Sequence, residues 1–187
     1  MLALPAPSAE GFAKLHVPPA INKFFVPCAM REDAYLREHP KAHRAHAFLG
    51  LCETGDIEAI TDLLSAHPSE EEDLEGPEVE VLRYQDPLRC MRSALHIAIL
   101  AHQYTVAWLL LYFASSLEEY RLPSEVLLEA SRLQVARDNG AEKVDIRALR
   151  DTDGRTAIDV AKEIGGAWDA WCLPDERGGF AAILASP

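Results

Sequence analysis

From Arg31 onward the apolar positions recur at the three- and four-residue spacing of helices rather than at the alternate positions of strands. A first helix begins near Arg31, and Pro40 marks a break before a second that begins near Ala42. The stretch AHAFLGLCETGDIEAITDLLSAHP then reads as a helix pair. Phe48, Leu51 and Cys52 share one face, Gly55-Asp56 makes the turn, and Ile57, Ile60, Leu63 and Leu64 form the next face. The stretch SALHIAILAHQYTVAWLLLYFA repeats this design. Leu95, Ala98 and Ile99 precede a turn at His102-Gln103, and Val106, Leu109 and Leu110 follow it. A further helix is expected in PSEVLLEASRLQVARDNG, starting at the Pro123-Ser124 boundary, and another after Thr156, ended by Gly165.

Residues 1–27 read differently. Pro5, Pro7, Pro18, Pro19 and Pro27 stand among Phe12, Leu15, Ile21, Phe24 and Phe25, a composition that forbids a long helix and favours an extended arm whose apolar side chains need a surface to lie on.

A helix pair of this size cannot cover its own apolar face, so neighbouring pairs must stack. The recurring motif resembles the ankyrin repeat, a unit of about 33 residues with a T-P-L-H-x-A start, a glycine turn and a leucine pair. Ser93-Ala94-Leu95-His96-Ile97-Ala98 stands in for that start. The most specific match is DTDGRTAIDVAKEIGG: Asp151 and Gly154 occupy the turn, Thr156 caps the helix, and Asp159 takes the place of the usual histidine. The small Ala98 and Ala161 would let adjacent helices approach closely.

The resemblance covers about Ala42 to Leu173 with gaps. It implies an all-α fold: a short solenoid of three to four helix–turn–helix units spanning residues 31–187, preceded by the arm at 1–30. Two departures interrupt the repeat. One is an acidic insertion at 69–89; the other is the segment 115–148, either a degenerate repeat or one inserted helix. Residues 173–187 would form a C-terminal cap, folding back on the last unit or binding a partner.

Charge narrows the class of partner. Acidic residues outnumber basic ones 30 to 18, for a formal net charge of -12, so a polyanion such as nucleic acid would be repelled and a basic protein suits the field better. Cys28, Cys52, Cys90 and Cys172 are scattered without a C-x-x-C pair, which fits a reducing compartment. The N-terminus has prolines where a secretory signal needs an unbroken apolar run, and Trp108 to Phe113 is too short to span a bilayer. An intracellular, cytoplasmic protein without a membrane span is expected.

Candidate chemistry is sparse. His96 falls where an ankyrin histidine bonds backbone between repeats, which accounts for it without catalysis. His39, His43 and His46 have a spacing that would suit metal ligands on one helical face, but Pro40 interrupts that face. No nucleophile elbow or glycine-rich phosphate loop appears. The expectation is therefore no catalytic residue, no cofactor and no metal.

The residues assigned to partner binding are Phe24 and Phe25 of the arm, the acidic run Glu70, Glu71, Glu72 and Asp73, and the aromatic pair Trp168 and Trp171. The acidic run reads equally as a solvated loop, and the tryptophans as core or end-cap packing. The function that follows from the resemblance is a non-catalytic protein-interaction module. The alternatives are a structural subunit of a large assembly and, by analogy, an acidic regulator or chaperone of a basic client such as a ribosomal protein.

Overall fold

A computed structural model describes residues 28–66 and 77–168 of the chain, with side chains from Arg31 onward. Phe24, Phe25, the run 70–73, Trp171 and the expected cap at 173–187 lie outside the described residues. Within them the fold is predominantly helical. The α-helices are α1 (Cys28–Glu38), α2 (Ala42–Thr54), α3 (Ile57–Ser65), α4 (Ala94–Leu100), α5 (Tyr104–Ala114), α6 (Ser124–Leu133) and α7 (Ala157–Ile164).

Local chemistry sets the boundaries. Pro40, which has no amide N–H to donate, falls between the end of α1 and the start of α2. Gly55 closes α2 at φ 81°, in the left-handed region, donating its N–H to the Leu51 carbonyl at 2.9 Å. A side chain there would also collide: a Cβ on Gly55 would lie 2.4 Å from Oε1 of Gln103, in the turn of the next helix pair. Asp56 then caps α3 by accepting from the Ala59 N–H at 3.0 Å.

Helix α4 sits at the centre of the packing. It lies against its own partner α5, with α2 on one side and α7 on another, while α2 pairs with α3 and α6 packs on α5. The core runs through Phe48, Leu49 and Cys52 of α2, Leu95, Ala98 and Ile99 of α4, Leu110 and Phe113 of α5, and Val160 and Ala161 of α7, all buried. Ala98 and Ala161 are both fully enclosed, on the two helices that must approach each other. Helix α5 is apolar around most of its circumference, as a central helix should be. Among the described residues no helix is long and apolar enough to cross a membrane.

The departures from the helical pattern are specific. Residues 77–89, expected as part of a long acidic loop, contain a 3₁₀ turn at Val81–Arg83 and the strand β1 (Gln85–Asp86), which pairs antiparallel with β2 (Arg92–Ser93) in the register Gln85↔Ser93 and Asp86↔Arg92. The hairpin is connected by a 3₁₀ turn at Pro87–Arg89 followed by Cys90 and Met91 at φ 59° and 55°, in the left-handed region that few side chains favour. Segment 115–148 contributes one α-helix, α6, and beyond Leu133 its regular structure is a 3₁₀ turn at Ile146–Ala148.

Arginine side chains hold that irregular stretch. Arg137 donates to the backbone carbonyls of Tyr112 at 2.8 Å, Ser115 at 3.1 Å and Leu117 at 2.6 Å. Buried Arg83 donates to the carbonyls of Val144 and Asp138 and reaches the Asp138 carboxylate at 2.7 Å. Arg147 and Asp145 form a buried pair at 2.7 Å, and Asp145 also accepts from the amide of Ser116 at 2.7 Å. Burial would raise the Asp145 carboxyl. The Arg147 guanidinium and the amides of Ser116 and Arg147 outweigh it and hold the group at about 2.

Candidate functional site

Two turns lie side by side ahead of α4 and α7. The first is the β1–β2 hairpin. The second is closed by the bridge Arg150↔Thr156, with Gly154 at φ 76° and Asp151 accepting from the amides of Asp153 at 3.0 Å and Arg155 at 2.9 Å. The turns are bonded to each other. Thr152 N–H donates to the Cys90 carbonyl at 2.9 Å, and the Gln85 amide donates to the carbonyls of Arg150 at 2.6 Å and Met91 at 2.7 Å.

His96 locks the same junction from inside. Its Nε2 lies 3.1 Å from the Arg155 carbonyl and its Nδ1 lies 2.8 Å from Ser93 Oγ. A carbonyl only accepts, so Nε2 carries the proton; in the neutral ring Nδ1 then accepts from the Ser93 hydroxyl. Burial lowers the His96 pKa and favours that neutral ring. His96 is thus a buried tie between two turns.

The equivalent place in the last unit holds Asp159. Its Oδ2 accepts from Thr156 N–H at 2.9 Å and Thr156 Oγ1 at 2.7 Å, and Thr156 Oγ1 accepts in turn from Asp159 N–H at 3.4 Å. These bonds make a capping box confined to α7.

Below the first hairpin lies a cleft of about 530 Å³. Glu32 comes from α1, His46 and Glu53 from α2, Arg89 and Arg92 from the hairpin, and Ile97 and Leu100 from α4. Its charged groups form a chain of contacts. Arg89 pairs with Glu53 at 2.6 Å and comes within 3.5 Å of Oδ2 of the fully buried Asp86. That oxygen is 3.3 Å from Nε2 of His46, whose Nδ1 is 3.5 Å from Glu32. Arg92 stands apart. Its Nε is buried and has no hydrogen-bond partner among the described residues.

Of the residues assigned to partner binding from sequence, Trp168 is the described one, and it is fully buried, its ring 4.3 Å from that of Tyr104. Its placement corresponds to the packing alternative, not to an exposed aromatic contact. The three histidines do not converge. His39 packs edge-on against Tyr35, His43 is exposed, and His46 is buried beside Asp86. Among the described residues no group of three or more His, Cys, Asp or Glu side chains could hold a metal ion.

About forty residues separate His46 from the hairpin that meets it, so no local sequence pattern brings Arg89, Arg92 and His46 together. The one local signal was Asp86-Pro87, a dipeptide that favours turn initiation.

By its fold the described part of the chain is predominantly α-helical, with α2–α3 and α4–α5 as two helix pairs joined by short turns. No family model, no curated protein and no solved structure matches it.

Proposed function

We propose that the chain is a non-catalytic protein-interaction module, an ankyrin-like solenoid that grips a partner in the cleft beneath its first hairpin. The observation that carries this reading is the composition of the cleft: it opens between a hairpin tip and the helices α2 and α4, with apolar Leu88, Ile97 and Leu100 beside charged Glu53, Arg89 and Arg92. Apolar contact with a few placed polar groups is what protein recognition requires. The ankyrin-like reading is supported by two turn-and-helix units in register, joined through His96 to the Arg155 carbonyl as that family's histidine would do.

The test is a photocrosslinking residue at Leu100, which lines the cleft and is 37% exposed, compared with one at Leu128, which is 75% exposed on α6. In native cells the full chain should capture a protein from Leu100 and not from Leu128. Equal capture at both positions, or capture from Leu128 alone, would overturn the cleft as the binding surface, and capture at neither would remove the reading.

The second reading is a regulator or chaperone of a basic client. Its support is the net charge of -12, which would attract a Lys/Arg-rich partner at a rate that falls with salt. An association rate constant independent of ionic strength would count against it.

A further inference from the structure

We infer that the cleft recognises a partner segment through a single carboxylate, set beside an apolar side chain, that docks on Arg92. This inference rests on the cleft being the binding surface.

The case begins with the charges. Of the carboxylates lining the cleft, Glu53 is held by Arg89 at 2.6 Å and Glu32 faces His46 at 3.5 Å. Asp86 is fully buried with Arg89 and His46 near it. The Arg92 side chain makes no ion pair among the described residues, and its Nε is buried without a hydrogen-bond partner there. Leaving a guanidinium N–H without an acceptor is costly, and native structures leave few such groups unsatisfied. Arg92 itself lines the cleft, so a carboxylate entering there would meet a guanidinium that has no acidic partner among the described residues and would pair with its accessible N–H groups, as a neutral oxygen cannot.

Shape and field define the rest of the partner. Ile97 and Leu100, one turn apart on α4, line the same cleft as Arg92 and offer it an apolar wall. A side chain next to the carboxylate in sequence would lie there. The chain's net charge of -12 repels an acidic tract, so the carboxylate is one anchoring group in an otherwise neutral or basic segment.

Three preparations of the full chain test this: wild type, Arg92→Gln and Leu100→Glu. Each is panned against a displayed library of random nine-residue peptides, after thermal melts establish that the variants fold. Peptides enriched on wild type should carry one Asp or Glu beside an apolar residue. They should lose about tenfold to a hundredfold in affinity on Arg92→Gln, the effect of one charged hydrogen-bonded contact, and bind Leu100→Glu barely at all.

Should Arg92→Gln fail to fold, two measurements remain. Arg92→Lys keeps the charge without the fork and should bind with intermediate affinity. In the wild type, the Arg92 Nε–H proton resonance should move on adding an enriched peptide and stay still with its Glu→Gln or Asp→Asn version. Enriched peptides that depend on Leu100 but not on Arg92, or that lack a carboxylate, overturn the inference and leave the interaction module standing. Absence of any enriched peptide, or binding indifferent to both substitutions, sinks both.

Discussion

The helices α4 and α7 begin with related sequences, Ser93-Ala94-Leu95-His96 and Thr156-Ala157-Ile158-Asp159, and use the fourth position differently. His96 accepts from Ser93 within its own unit and reaches the Arg155 carbonyl of the next. Asp159 turns back and closes the cap of its own helix. One residue joins neighbours, and the other finishes a helix that has no following unit among the described residues. The fourth position thus carries either a link or a cap: a neutral imidazole accepts at one nitrogen and donates from the other, whereas a carboxylate only accepts and cannot bond a neighbouring carbonyl.

The largest consequence falls on the link. His96→Ala should destabilise the chain by about 3 kcal/mol in urea unfolding, because it opens a cavity and strips both Ser93 Oγ and the Arg155 carbonyl of a buried partner. A loss under about 1 kcal/mol would mean that the two turns hold each other without it.

A second connection between units is Gln103, whose amide donates to the Glu53 carbonyl at 3.1 Å beside Gly55. Gly55→Ala places a side chain in the left-handed region and pushes Gln103 aside, for a cost of about 1–2 kcal/mol by the same measurement. An unchanged midpoint would show that the turn relaxes freely.

Asp159→Ala removes half of the capping box and should cost about 1 kcal/mol, less than either change at a junction between units. If it costs more than His96→Ala, the distinction between link and cap fails.

Acid weakens both positions, but in different pH windows. His96 binds its proton less readily folded than unfolded, because burial penalises the charged ring; its contribution is complete above about pH 6.5 and declines as pH falls below that value. Asp159 is held below the usual carboxylate range by the Thr156 amide and hydroxyl, so its contribution persists to about pH 4 and is lost as the carboxylate protonates. Stability measured against pH should therefore lose its upper step in His96→Ala and keep it in Asp159→Ala. The reverse pattern would contradict the neutral, buried state of the His96 ring.

The helices were legible because their signals are local. Pro40, Gly55 and the Thr156–Asp159 cap act within a few residues, and the apolar spacing marks the helices themselves, although α4 and α5 are buried on nearly all sides and show no single inward face. The hairpin at Gln85–Ser93 was not legible. Its strands are two residues each, its connection is a five-residue loop rather than the two-residue turn that Asn-Gly announces, and its left-handed positions are filled by Cys90 and Met91. The cleft and the arginine braces were hidden for another reason. An arginine can travel far from its own backbone, and nothing near Arg83 in sequence points to Asp138 or Val144.

Those braces bear on how freely this sequence can vary. Arg137 and Arg83 take hold mainly of carbonyl oxygens, which every residue possesses whatever its side chain. Residues 139–144 are exposed, so substitutions along them spare the carbonyl contacts and the core, except at Lys143, which pairs with Glu80 at 2.9 Å and Asp138 at 2.8 Å, the two carboxylates that Arg83 also holds. A deletion there is another matter, since it would carry the Val144 carbonyl out of register with Arg83. Divergence in this stretch is tolerated in letter and restricted in length, with the restriction enforced by two side chains whose replacement by lysine would forfeit the fork.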